Sequence, residues 1–433
     1  MTNYGPYAAF DIEFDTGGHL VDPKEQDEAL AYLAAGGAGT SVGNVFVIAH
    51  GWNNDMGEAR DLYHRFFDSF GKVAATHGKS PQNSTVLALL WPSKKFADTA
   101  LIPGGSGATG DPLDAQLNAQ LDLFKVMYAD NAKTATNIDA ARRLIPTLAV
   151  NPLAQDQYVK LIAELVPPTR YEIDEGLDGA LEAVANLAGR TVLARLAQPV
   201  RPVGTSGAAG FDLGASIKNG AAMLGNVFTY YTMKDRAAIV GRTGAAALVR
   251  ALRSAVVPGR KVHLIGHSFG GRLVTALANA LVPPTHVDSM TLLEAAYSHN
   301  GMATNWDGNN ANGSFAGVLT NRMVQGPVLI THSVHDIPVG IMYPTASRLM
   351  NQVAASVYGG PDDKFGGMGR NGAQHTPQVL ADVKLQAVGG AYPVAPQATP
   401  FVVNINGDGP NPVITGHGDV CKDEIAHAML SYV

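Results

Sequence analysis

The chain has 433 residues, of which 46% are apolar and 16% charged, and its net charge is only -6. That length calls for one large core extended by an insertion, and so mild a charge gives no reason to expect nucleic acid as a partner. The single cysteine, Cys421, excludes an internal disulfide and a cysteine-rich metal site. The opening MTNYGPYAAFDIEFDTGG has no basic start followed by an apolar run. No stretch approaches the roughly 20 apolar residues that span a bilayer. The expected location is the cytoplasm, with export of a disulfide-free protein left open.

In chain order, short apolar runs bounded by turn residues mark seven strands. They are AAFDIEFD from Ala8, NVFVIAHG from Asn44, STVLALLW from Ser84, KVHLIGHS from Lys261, SMTLLEAA from Ser289, GPVLITHS from Gly326 and FVVNINGD from Phe401. Several are apolar at nearly every position, as strands covered on both faces are. Helical spacing fills the gaps at Gly57 to Ala75, Lys234 to Val256, Gly270 to Leu281, Met342 to Val357 and Asp419 to Leu430. The alternation predicts an α/β fold with a doubly wound, mostly parallel sheet.

One region breaks the alternation. Between PGGSGATGDP, ending at Pro112, and RPVGTSGAAG, ending at Gly210, the spacing is helical throughout. Leu113, Leu117, Leu121, Phe124 and Tyr128 share one helix face, and Leu177, Leu181, Val184 and Leu187 make a second stripe. The expected organisation is a core of residues 1–100 and 211–433 with a helical cap, 101–210, inserted on two flexible hinges; helices packed permanently on the core are the alternative.

The chemistry centres on GHSFGG. Here Ser268 stands between Gly266 and Gly270, with a buried strand before it and a helix after it. A G-x-S-x-G turn in that context thrusts the serine into the open, and the glycines relieve crowding. The same residues do not spell a dinucleotide motif, and the near match to a phosphate loop fails at Gly271-Arg272-Leu273. A serine nucleophile needs a base, an acid to orient it and N–H donors for the oxyanion. Phe269 supplies one N–H at a helix start, and Trp52, in the turn after VFVIAHG, supplies the other. Among thirteen histidines His417 is the candidate base. It follows the last strand in a glycine-flanked loop. His427 is expected to pack inside the final helix, His263 lies in a strand, and His375 receives no role. Asp336, just after a buried strand, is the candidate acid, with Glu294 as the alternative acid. A glutamate in so apolar a run needs a buried partner or an exposed strand end. His332 and His335 read as surface-loop histidines.

With Ser268, Asp336 and His417 in that order and His50-Gly51 upstream, the sequence resembles the α/β-hydrolase superfamily, whose chain order is serine, acid, histidine. VFVIAHGWNND and HLIGHSFGGRLV look like bacterial serine hydrolases grouped as esterases of unknown function. The resemblance implies a serine nucleophile and no cofactor, and no metal site is expected, since the acid spacing of PDDKFGGMGRNG fits no calcium loop. The expected activity is hydrolysis of small or lipid-like carboxylic esters through an acyl-serine, with a lipase or polyester depolymerase, or a non-catalytic binding module, as alternatives. An apolar cap would favour an apolar acyl or alcohol part. The segment from Asp362 to Pro400 exceeds what a minimal hydrolase needs and is expected to form an additional wall of the pocket.

Overall fold

The computed structural model describes residues 1–37, 43–52, 54–93, 112–167, 187–197, 213–255, 259–340, 360–364, 366–394 and 400–432. Its strands are β1 (Thr2–Tyr4), β2 (Tyr7–Glu13), β3 (Asn44–Ala49), β4 (Ser84–Leu90), β5 (Lys261–His267), β6 (Ser289–Leu293), β7 (Pro327–His332), β8 (Val379–Lys384) and β9 (Phe401–Asn406). They form one nine-stranded sheet in the order β1-β2-β4-β3-β5-β6-β7-β9-β8. Only the β1–β2 pairing is antiparallel.

Successive side chains of a strand point to opposite faces, so a run apolar at every position feeds two cores. Val45, Val47 and Ala49 of β3 join one apolar cluster, while Phe46 and Ile48 join the other. The helices are α1 (Pro23–Ala34), α2 (Met56–Thr76), α3 (Pro112–Met127), α4 (Thr134–Leu144), α5 (Pro152–Ala163), α6 (Gly189–Leu196), α7 (Leu213–Val240), α8 (Ala246–Ala255), α9 (Phe269–Asn279), α10 (Ala316–Thr320), α11 (Met368–Asn371) and α12 (Asp423–Tyr432). One face of the sheet carries α1, α7, α8 and α9; the other carries α2 and α12, which pack together. The seven predicted strands are all present. β1 and β8 are additional, both at sheet edges.

The helical pattern predicted from Lys234 starts earlier, at Leu213, and is broken by a π turn over Gly241–Ala245. The pattern predicted over Met342 to Val357 lies outside the described residues, as do both glycine-rich hinges and most of the stripe from Leu177 to Leu187. The first stripe of the insertion is visible. Leu117, Leu121 and Phe124 of α3 are fully buried, and they belong to the same cluster as Leu224, Val227 and Phe228 of α7. Tyr128 Oη meets Thr232 Oγ1 at 2.8 Å, and Gln120 Nε2 donates to Ala222 O at 3.1 Å. The apolar face of α3 is therefore used in packing on α7, and α7 in turn packs on α9 behind the central strand. Among the described residues no helix is long and apolar enough to cross a membrane.

Candidate active site

Parallel strands end at one edge, and their register aligns those ends. Ala49 lies opposite Gly266, His267 opposite Leu293, Leu293 opposite Thr331 and Thr331 opposite Ile405. The loops leaving β3, β5, β6, β7 and β9 consequently converge on one crevice. They carry Trp52, Ser268, Glu294, Asp336 and His417 respectively.

Ser268 has φ 56° and ψ -121°, a left-handed conformation that costs a non-glycine residue about 1–3 kcal/mol. The backbone is pinned there from both sides: Ser268 N donates to Leu293 O at 3.0 Å, and Ala296 N donates to Ser268 O at 3.0 Å. The turn is tight enough that a Cβ on Gly270 would stand 2.1 Å from Ala49 O. Ser268 Oγ lies 2.7 Å from His417 Nε2, and His417 Nδ1 lies 3.0 Å from Asp336 Oδ2. Asp336 is fully buried and its other oxygen accepts the Val339 N–H at 3.1 Å. This fixes the imidazole with its Nδ1–H toward the acid, which leaves Nε2 to accept the serine proton. Burial pushes the His417 pKa down, but the charge and hydrogen bond of Asp336, with Glu294 beyond, outweigh it and raise the value to about 9.

The β3 turn is braced by buried groups. His50 Nδ1–H donates to Gly51 O at 2.9 Å, and His50 Nε2 accepts from Trp91 N at 3.3 Å. Trp91 Nε1–H in turn donates to His50 O at 2.9 Å, and Tyr63 Oη accepts from His50 N at 2.8 Å. Burial holds the His50 pKa down at about 4, so this histidine is a neutral structural strut. Gly51 lies so close to the elbow that a Cβ would stand 2.8 Å from Ser268 Cβ, and Trp52 follows it directly. Phe269 opens α9, so its N–H has no partner within the helix. α2 starts just beyond, closed by a capping box of Asp55 and Glu58.

His267 was given no role in the sequence. Its Nε2–H donates to the backbone carbonyl of His417 at 2.8 Å, tying the residue before the serine to the loop of the histidine. Burial, then the neighbouring His417, push the His267 pKa down to about 3, which keeps it neutral. The signal was the His that precedes the serine in G-His-S-x-G, at the last position of β5. Of the other histidines, His263 hydrogen-bonds Ser289 and Asn44 within the sheet, and His427 packs against His77 and Gly390 O. His375 contacts Asn300 Oδ1 and stays outside the crevice cluster. His335 is exposed as expected, whereas His332 is not a surface-loop residue: it is the buried last residue of β7, 3.3 Å from Asp382 on β8.

Of the two alternatives expected for Glu294, a buried partner is the one found: His417. It is fully buried, so it is no exposed strand end, and neither carboxyl oxygen has a hydrogen-bond partner. Its neighbour is His417 Nδ1 at 3.9 Å, beyond hydrogen-bond range. Burial, with the charge of Asp336 added, raises its pKa to about 8. The ligand-type atoms of Glu294, Asp336 and His417 lie within 4.8 Å of one another. Both nitrogens of His417 are engaged, with Asp336 and Ser268.

The segment from Asp362 onward does not simply wall a pocket. Its first part braces the acids: Met368 N donates to Tyr297 O at 2.8 Å, Gly369 N to Ala295 O at 2.9 Å, and Ser333 N to Gly369 O at 3.0 Å. Its second part is the edge strand β8.

A family model described as the alpha/beta hydrolase fold matches residues 243–377, the part of the chain that holds Ser268, Glu294 and Asp336. No curated protein and no solved structure matches the chain. The match, with the mostly parallel nine-stranded sheet, shows an α/β-hydrolase fold.

Proposed function

We propose that the protein is a serine hydrolase of carboxylic esters. The observation that carries this reading is the continuous contact from Ser268 Oγ through His417 to Asp336, at 2.7 and 3.0 Å, on a strained turn at the end of the central strand. His417, oriented by Asp336, takes the proton of Ser268 as Oγ attacks the ester carbonyl. The N–H groups of Trp52 and Phe269 hold the oxyanion. The alcohol leaves with the proton from His417, and water activated by the same imidazole frees the acid from Ser268.

An apolar acyl or alcohol part is supported by Val334 and Ile337, both more than half or nearly half exposed on the loop that carries Asp336. The leucines of α3 do not support it, because they are used against α7. The described helices α3 to α6, within residues 101–210, are read as part of an inserted subdomain that packs on α7 through α3 and α6. A lipase or polyester depolymerase would use the same residues on a larger substrate.

The test is hydrolysis of p-nitrophenyl esters of increasing acyl length across pH. Because His417 must be neutral to act as base and its pKa is raised to about 9, kcat/KM should climb about tenfold per pH unit from neutrality and level off above that value. Medium acyl chains should outrun acetate. A rate flat from pH 6 to 9 would mean that the His417 pKa is not raised, and no turnover of any ester by folded protein would contradict the assignment.

A further inference from the structure

We propose that Glu294 is a second acid of the site, a positioning residue that steadies the His417 imidazolium beside Asp336 and takes over its orientation when Asp336 is removed. The proposal rests on the reading of Ser268 and His417 as nucleophile and base.

A buried polar group without a hydrogen bond costs stability, and so does a left-handed backbone at a residue with a Cβ. Glu294 carries both: its oxygens are buried and unpartnered, and its φ is 47°. The unusual backbone is firmly held, since Glu294 N donates to Thr331 Oγ1 at 3.1 Å and the next residue's carbonyl, Ala295 O, accepts from Gly369 N at 2.9 Å. What this geometry achieves is to aim the carboxyl at His417, with Oε2 at 3.9 Å from the same Nδ1 that Asp336 contacts at 3.0 Å. A shift of about 1 Å would bring that oxygen to hydrogen-bond distance. Asp336 and Glu294 thus approach one nitrogen from the ends of adjacent strands, β7 and β6.

The titratable groups that act on Glu294 are Asp336 after β7, and His417 and Asp419 after β9. The α11 segment packs the backbone of Gly369 against it. The charge of Asp336 favours the protonated form of Glu294, while the His417 imidazolium favours its carboxylate. In Asp336→Asn the nearest negative charge is gone, so Glu294 can release its proton to solvent and accept the His417 Nδ1–H as a carboxylate.

The first readout needs no catalysis. NMR titration of the His417 imidazole in the full chain carrying Ser268→Ala should show the midpoint falling by about half a pH unit or more on adding Glu294→Gln, because a charge that favours the imidazolium is removed. Glu294→Leu, which suits a buried niche, should give the same direction and guards against loss of fold in the Gln variant. An unmoved midpoint in both overturns the proposal.

The second readout is ester hydrolysis. Asp336→Asn should lose only about 10²-fold in kcat, where loss of an unaided acid in a serine triad costs about 10⁴-fold. Adding Glu294→Gln to Asp336→Asn should deepen the loss to the level of an unaided acid, about 10⁴-fold. Asp336→Asn already at that level, or a double variant no slower than Asp336→Asn, would overturn the takeover. If the midpoint moves but the wild type hydrolyses no ester, the coupling of Glu294 to His417 stands and the esterase reading falls.

Discussion

Ser268→Ala is expected to lower ester kcat by about 10⁶-fold while leaving the fold intact. Its Oγ makes one side-chain hydrogen bond, to His417 Nε2, worth about 1 kcal/mol to stability. The backbone bonds that hold the turn, to Leu293 and Ala296, do not involve the hydroxyl. A folded variant with so large a loss separates chemistry from structure, because only the nucleophile has gone. Parallel assays of rate and thermal unfolding check both halves; a variant that still turns over ester at the wild-type rate would remove Ser268 from the mechanism.

Gly270→Ala is expected to act the other way, through stability first. The added methyl would meet Ala49 O at 2.1 Å and His50 O at 2.5 Å, both backbone atoms of the neighbouring strand end. Neither can rotate aside, so α9 or the β3 turn must move, and a loss of about 3 kcal/mol or more in urea unfolding is expected. The β3 turn also carries Trp52, so activity should fall beyond what the unfolded fraction explains. A stability within about 0.5 kcal/mol of wild type would mean that the elbow is looser than its geometry implies.

Strand runs were legible because a parallel strand covered on both faces is apolar at nearly every position, as VFVIA in β3 and VLALL in β4 are. β8 was not legible for the opposite reason. VLADVK sits at an edge, alternates between half-buried and exposed, and carries two charges, so no apolar run marks it. β1 is only three residues long. The site followed from the strands: once their C-terminal ends are known, Ser268, Asp336 and His417 stand on loops that must share one edge. What could not be read was which groups touch. The stripe of α3 looks alike whether it faces a substrate or α7, and only packing decides between them. The same limit applied to Glu294, whose cost of burial was legible while its neighbour, His417, lies 123 residues away in the chain. The bond from His267 to His417 O likewise depends on a loop closing over the strand end, which local pattern does not encode.

The most direct test of the central claim is covalent trapping. The wild-type protein, incubated with an alkyl fluorophosphonate and digested, should yield one phosphonylated peptide with the adduct on Ser268, and Ser268→Ala should yield none. His417→Ala should fold and label far more slowly, since the base that takes the Ser268 proton is missing. Folded wild-type protein that forms no adduct, or an adduct that persists in Ser268→Ala, would contradict the assignment of Ser268 as nucleophile.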